Sequence, residues 1–301
     1  MIKHILVPLD GSTLAEDAIP YAVEMVNVTH ARVTLIHVIE KNPPENIHGQ
    51  AHLHTREDAA RYLSEIADKY FAPLTAVATH VHEEPVDKVA DSITNHIVEY
   101  NSDLLIMCSH GNGGVRDMLY GTIAQQIIAN KKIPVLVIHP SEDKKPDAPK
   151  FKRLMVPVDG NPEHEQGFDY AVQFARDSGA SLQLFLVVPT YQVLQGEQAA
   201  LGTLLPISTA YMLDELESAS ETYLYNHIDR LCKMNVDTNA EVRRGDPVDE
   251  IVNYAGENTF DMVIIGTHGK SGARAFWAGS KASRILSRLK TPVLLVPVLP
   301  K

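Results

Sequence analysis

The sequence predicts an α/β protein of two tandem domains, each a five-stranded, doubly wound parallel sheet with flanking helices. Three observations predict it. A set of short motifs occurs twice in the same order along 301 residues. Within each copy, short β-branched runs alternate with amphipathic stretches, the pattern of strand–helix–strand crossovers. The strand-like runs are apolar almost throughout, as parallel strands covered on both faces must be.

The repeat begins with Ile5-Leu6-Val7-Pro8-Leu9-Asp10-Gly11, which returns as Leu154-Met155-Val156-Pro157-Val158-Asp159-Gly160. Glu84-Pro85-Val86-Asp87 is echoed by Asp246-Pro247-Val248-Asp249, Ser109-His110-Gly111 by Thr267-His268-Gly269, and Gly121-Thr122 by Gly279-Ser280. Ile133-Pro134-Val135-Leu136-Val137-Ile138 matches Thr291-Pro292-Val293-Leu294-Leu295-Val296. Between the copies, Pro140 to Pro149 is polar, charged and proline-rich, as a linker is. The predicted domains are 1–140 and 152–301, joined by a linker over 141–151.

Strands are expected near 2–9, 32–39, 75–82, 103–108 and 134–138, and again near 152–158, 181–188, 236–243, 261–266 and 292–297. The first intervening helix carries Leu14, Ala18, Tyr21, Ala22 and Met25 on one face, and its counterpart carries Phe168, Ala171, Val172 and Ala175. Thr13 and Asn161 are the expected N-caps, with Pro162 in the first turn of the second helix. Val193 to Ile207, long and without clear period, reads as an excursion over the sheet: a lid, a partner surface or a packing element.

Composition excludes several classes of function. A net charge of −11 disfavours binding to a nucleic-acid backbone, without excluding a local basic pocket. The longest apolar runs are strand-sized, so no membrane span is expected. Met1 to Pro8 shows no secretory pattern, and two cysteines without metal-type spacing fit a reducing, cytoplasmic setting.

Ligands of doubly wound sheets bind beyond the carboxyl ends of the strands. Two features of each copy fall there: the aspartate closing the first strand, Asp10 or Asp159, and a glycine-rich loop after the fourth. In the second copy that loop runs Gly266-Thr267-His268-Gly269, nine residues, then Gly279-Ser280. Glycines admit backbone close to a ligand, and a helix start at Gly279-Ser280 offers N–H groups and a hydroxyl to a phosphate. Lys270, Arg274, Lys281 and Arg284 cluster around it in an otherwise acidic chain. His268, ahead of the second loop glycine, could bond a phosphate or simply fix the loop.

These motifs, with the closing Pro292-Val293-Leu294-Leu295-Val296 strand, resemble the universal stress protein family over nearly the whole chain. The resemblance implies a Rossmann-like fold, an ATP or AMP ligand with or without Mg2+, and a role in stress adaptation. It further implies that Asp159 and Gly160 lie beside the adenosine, that backbone near Val187 meets the adenine, and that Gly266, Gly269, Gly279 and Ser280 hold the ribose and phosphates. Last strands pair across the dimers of that family, which implies an intrachain pseudo-dimer here and leaves a further homodimer open.

The first copy departs from the pattern. Its corresponding positions, Asp10, Val38, Gly111, Gly121 and Thr122, make a weaker nucleotide site. Cys108 stands where the second copy has Gly266, and a Cβ and sulfur are expected there to intrude between backbone and ligand. Glu83-Glu84 adds negative charge, and the basic cluster thins to Arg116 beside Asp117. Cys108 itself reads as a small core residue rather than a redox thiol.

Fourteen histidines raise the question of metal binding. His48, His52 and His54 share a polar stretch, and His80 and His82 share a strand face, but no tetrahedral set is recognisable. They are read as solvated loop side chains, and neither a metal ligand nor a catalytic residue is assigned. The expected function is an adenine-nucleotide-binding regulatory protein acting through the second copy. The alternatives are a slow ATPase or phosphotransferase, which lacks a recognisable catalytic base or Walker-type Gly-Lys-Ser/Thr, and a protein- or lipid-interaction module with vestigial sites.

Overall fold

The computed structural model describes residues 2–43, 45–47, 50–72, 77–109, 122–130, 133–140, 149–161, 166–194, 196–267 and 281–298. The first copy contributes β1 (His4–Pro8), α1 (Thr13–Glu16), α2 (Ile19–Thr29), β2 (Arg32–Glu40), a two-residue hairpin of β3 (Asn46–Ile47) and β4 (Gln50–Ala51), α3 (Arg56–Tyr70), β5 (Val77–Val86), α4 (Val89–Glu99), β6 (Leu104–Cys108), α5 (Thr122–Asn130) and β7 (Val135–Ile138). The second contributes β8 (Arg153–Val158), α6 (Gln166–Ser178), β9 (Ser181–Val188), α7 (Gly196–Leu204), α8 (Pro206–Lys233), β10 (Thr238–Arg244), α9 (Pro247–Glu257), β11 (Met262–Thr267), α10 (Lys281–Leu286) and β12 (Val293–Pro297).

Two compact units result. The first gathers residues 1–150 and, from the end of the chain, Pro292–Pro297. Its strands run in the order β12-β7-β6-β1-β2-β5. All neighbours are parallel except β12, whose Val293, Leu294 and Leu295 lie opposite Val137, Leu136 and Val135 in antiparallel register. In the second unit the order is β10-β9-β8-β11, all parallel. The expected strands are thus present, and the apolar central ones are buried, every residue of β6 and β7 among them. By contrast, β5 carries polar residues along half of its length and β10 along most of it, as strands at a sheet edge do.

Both copies anchor the first strand by one device. The Asp103 carboxylate accepts the N–H groups of Lys3 (2.8 Å) and His4 (3.0 Å). Asp261 does the same for Lys152 and Arg153, both at 2.8 Å. Each aspartate thereby satisfies strand-end donors that the ladder leaves over.

Three local expectations change. The first helix is two helices, because Pro20 in the first turn of α2 has no N–H to give the carbonyl of Glu16. Ser12, not Thr13, is the N-cap of α1: its backbone is extended and its hydroxyl accepts the N–H of Ala15 at 3.2 Å, while Thr13 is already helical. Asn161 is described, but Pro162 lies outside the described residues, so α6 is followed only from Gln166. The 193–207 segment is no irregular excursion; it holds all of α7 and the start of α8, whose Pro206 occupies a first-turn position where the missing N–H costs nothing. Its period is hidden because Leu201, Leu204, Leu205 and Ile207 are all exposed, so apolarity there does not follow burial.

Candidate functional site

In each copy the chain leaves the first strand through an Asp-Gly turn. Asp10 Oδ1 accepts the N–H of Ser12 at 2.9 Å, and Asp159 Oδ1 accepts that of Asn161 at 3.1 Å. A side chain bonding backbone two residues on is the turn for which aspartate is suited. Gly11 and Gly160 follow at φ +89° and +73°, left-handed backbone that only glycine adopts without strain. The two turns are alike to this point.

What covers them differs. An ideal Cβ on Gly11 would lie 2.8 Å from Leu53 Cδ1 and 2.9 Å from its Cγ, so Leu53 sits on the turn. Gln50 Oε1 accepts the N–H of Thr13 at 2.6 Å. His52 is 4% exposed, with its ring 6.3 Å from that of His37, and His37 Nδ1 lies 2.8 Å from the carbonyl oxygen of Leu9 at the end of the first strand. Burial, ahead of its hydrogen bond to Leu9, holds the His37 pKa below the usual imidazole range. The hairpin segment of the first copy therefore lies over its own strand ends. In the second copy Asp159 and Gly160 are exposed, and among the described residues only Leu186 Cδ1, at 3.6 Å, comes near a Cβ built on Gly160.

Gly266, near the end of β11, is explained first by packing. A Cβ on Gly167 of α6 would fall 2.8 Å from Gly266 Cα and 3.0 Å from its nitrogen, so helix and strand touch backbone to backbone. The first copy has Ala18 and Cys108 at the matching positions. Cys108 Sγ points at the carbonyl oxygen of Ala15, 3.7 Å away, in a fully buried setting that raises its pKa well above the ordinary thiol value. The sulfur is thus turned toward the helix layer, as in a core cysteine.

Val38 and Val187 occupy corresponding places on β2 and β9, opposite His82 and Arg243; Val38 is buried and Val187 half-buried. Lys281 and Arg284 are exposed on α10. Thr122 opens α5. His110, Gly111, Gly121, His268, Gly269, Gly279 and Ser280 lie outside the described residues, as do Arg116, Asp117, Lys270 and Arg274.

The histidines are not the solvated set expected. His48 lies outside the described residues, and His54 is exposed, but His52 is buried and His80 and His82 are half-buried. His80 and His82 do share a face of β5, and His96 of α4 joins them: one ring nitrogen from each lies within 4.8 Å of the others. Sequence spacing could not supply His96, because its proximity depends on how α4 packs beside the edge strand.

A doubly wound α/β scaffold with Asp-Gly turns at paired strand ends defines the class: a tandem Rossmann-like protein. The profile of the Universal stress protein family matches residues 1–139 and again 150–297, and the chain belongs to that family. A universal stress protein of Mycolicibacterium smegmatis is 23% identical, covering 97% of this chain and 96% of its own. The Universal stress protein E homolog of Haemophilus influenzae is 24% identical with the same two coverages, 97% and 96%. In fold, the crystal structure of a universal stress protein from Archaeoglobus fulgidus superimposes with a TM-score of 0.70 at 16% identity, covering 98% of this chain and 96% of that one. Among the described residues, no helix is long and apolar enough to cross a membrane.

Proposed function

We propose that the protein is a regulatory adenine-nucleotide-binding member of the family, holding ATP or AMP in its second domain. The observation that carries this reading is the difference at the two Asp-Gly turns. Leu53, Gln50 and His52 lie over the first, whereas Asp159 and Gly160 are exposed beside half-buried Val187. In this reading Asp159, Gly160 and Val187 meet the adenosine, and Gly266, His268, Gly269, Gly279 and Ser280 meet the ribose and phosphates, with Mg2+ accompanying ATP. The exposed Lys281 and Arg284 supply positive charge in an acidic chain. The first-domain positions Asp10, Val38, Gly111, Gly121 and Thr122 are the weaker set.

The domains are assigned as 1–140 and 152–301 with a linker over 141–151, a division supported by profile matches at 1–139 and 150–297. An intrachain pseudo-dimer through last strands is part of the same proposal, supported by the antiparallel β12–β7 ladder. Cys108 and Cys232 are both free, in keeping with a reducing, cytoplasmic compartment.

The test is calorimetric titration of the full chain with ATP–Mg2+ and with AMP. The expected result is saturable binding of one nucleotide per chain, abolished by Gly279→Val with the circular dichroism spectrum unchanged. Absence of any heat at millimolar nucleotide would refute the proposal, and phosphate release lost with Asp159→Ala would move the reading to an ATPase.

A further inference from the structure

We propose that His80, His82 and His96 form a zinc site on the outer edge of the first domain, with Glu99 orienting one of the ligands. His80 and His82 lie two residues apart on β5, so the pleat places both rings on one face. His96 comes from the facing helix α4 and is 7% exposed. The three ligand nitrogens are mutually within 4.8 Å, and His96 Nε2 is 3.1 Å from His82 Nδ1. Two nitrogens bound tetrahedrally to one zinc, each at 2.0–2.1 Å, stand about 3.3 Å apart. That pair is already at ligand spacing, and rotation about the side-chain bonds of His80 closes the third edge.

Hydrogen bonding favours the same assignment. His96 Nδ1 faces Glu99 Oε2 at 2.8 Å, and a carboxylate accepting the Nδ1–H leaves the Nε2 lone pair directed at His82. A carboxylate on the far nitrogen of a ligating histidine is the usual second support of a metal site, fixing the tautomer and raising donor strength. His80 Nε2 is buried and has no hydrogen-bond partner among the described residues, so a donor atom is left over in the cluster.

The second domain provides an internal comparison. Val38 and Val187 correspond, and so do the residues opposite them, His82 and Arg243. Likewise Ile36 faces His80 where Phe185 faces Glu241. On the eleven-residue helices α4 and α9, His96 and Glu99 correspond to Tyr254 and Glu257. There, Arg243 bonds Glu241 (2.7 Å) and Glu257 (3.0 Å) and lies 4.6 Å above the Tyr254 ring. One domain fills this place with its own cation, held by carboxylates and an aromatic face. The other offers three imidazoles and one carboxylate and, among the described residues, has no lysine or arginine in that role. Imidazole donors select zinc and its late first-row neighbours over calcium or magnesium, and three protein ligands leave a fourth position for water or a further donor. Bound metal would tie the edge strand β5 to α4.

The experiment is a Zn2+ titration of chelator-stripped, full-length protein in competition with a chromophoric indicator. One site per chain is expected, with affinity at least tenfold weaker in His82→Ala and 10- to 100-fold weaker in Glu99→Gln, while His54→Ala leaves it unchanged. Because His82 lies on a half-exposed edge strand, its alanine variant keeps the fold, checked by its melting temperature without zinc. X-ray absorption of the one-to-one complex should show three imidazole ligands. Failure to compete with the indicator, or undiminished affinity in both His82→Ala and His96→Asn, would overturn the assignment.

Discussion

Replacing Gly167 by alanine tests the backbone contact between α6 and β11. The new methyl carbon would sit 2.8 Å from Gly266 Cα, whereas carbon atoms rest at about 3.5–4.0 Å. Because the obstructing atom is backbone, the helix must retreat by on the order of 0.7 Å. Overpacking of this kind costs about 1–3 kcal/mol. The better helix propensity of alanine offsets up to about 1 kcal/mol of that. The expected net loss is ~1–2 kcal/mol, a fall in melting temperature of roughly 2–8 °C. Gly256→Ala is the matched control. That residue is also helical, in α9, and a Cβ there meets no described atom within 4 Å, so a gain of up to about 1 kcal/mol is expected. Both are read by urea and thermal unfolding. A Gly167→Ala protein as stable as the parent would refute the close approach and, with it, the packing explanation of Gly266.

Asp246→Ala should cost ~1 kcal/mol in urea unfolding, because its carboxylate accepts the N–H groups of Val248 and Asp249 at the start of α9. Arg243→Ala should cost about 1–2 kcal/mol by removing two carboxylate bonds and the contact with Tyr254. Arg243→Lys should recover only part of it, since an ammonium cannot span both carboxylates while lying flat on the ring. Stability should also fall as pH drops from about 6.5 toward 4. Burial lowers the His139 pKa from 6.5 to about 4 and that of His37 in the same direction. In that window the unfolded chain takes up a proton that folded His139 refuses, so each unit of acidification costs about 1.4 kcal/mol at that site, and His37 acts in the same direction. Unfolding free energies measured between pH 7 and 4.5 check this, and a His139→Asn variant should show a shallower decline.

The repeat makes most of the architecture legible from residue order alone. Ten strands, the parallel pairing within the sheets apart from the antiparallel β12–β7 ladder, and both Asp-Gly turns follow from matched motifs, because strand burial on two faces and the left-handed turn each demand particular residue types. Reading Cys108 as a core residue also follows from its place in an all-apolar run. The direction of its sulfur, toward the Ala15 carbonyl, does not, because a motif position says nothing of which way a side chain turns. Ser12 and Thr13 illustrate a finer limit. Both suit an N-cap, and only the extended backbone at Ser12 separates them.

What the sequence by itself determined is local or periodic: the two copies, the alternation of strand and helix, the apolar cores, and the residue types at the strand ends. Tertiary structure alone decided which segment covers which strand end, and which side chains from distant elements meet. Leu53 reaches Gly11 across the chain, Gly167 reaches Gly266, and His96 reaches His80 and His82. Such encounters depend on how far a helix packs from a sheet and at what rotation, quantities set by the summed fit of many side chains rather than by any one motif. That is why the two copies, so alike in motif, differ at their strand ends and outer edges.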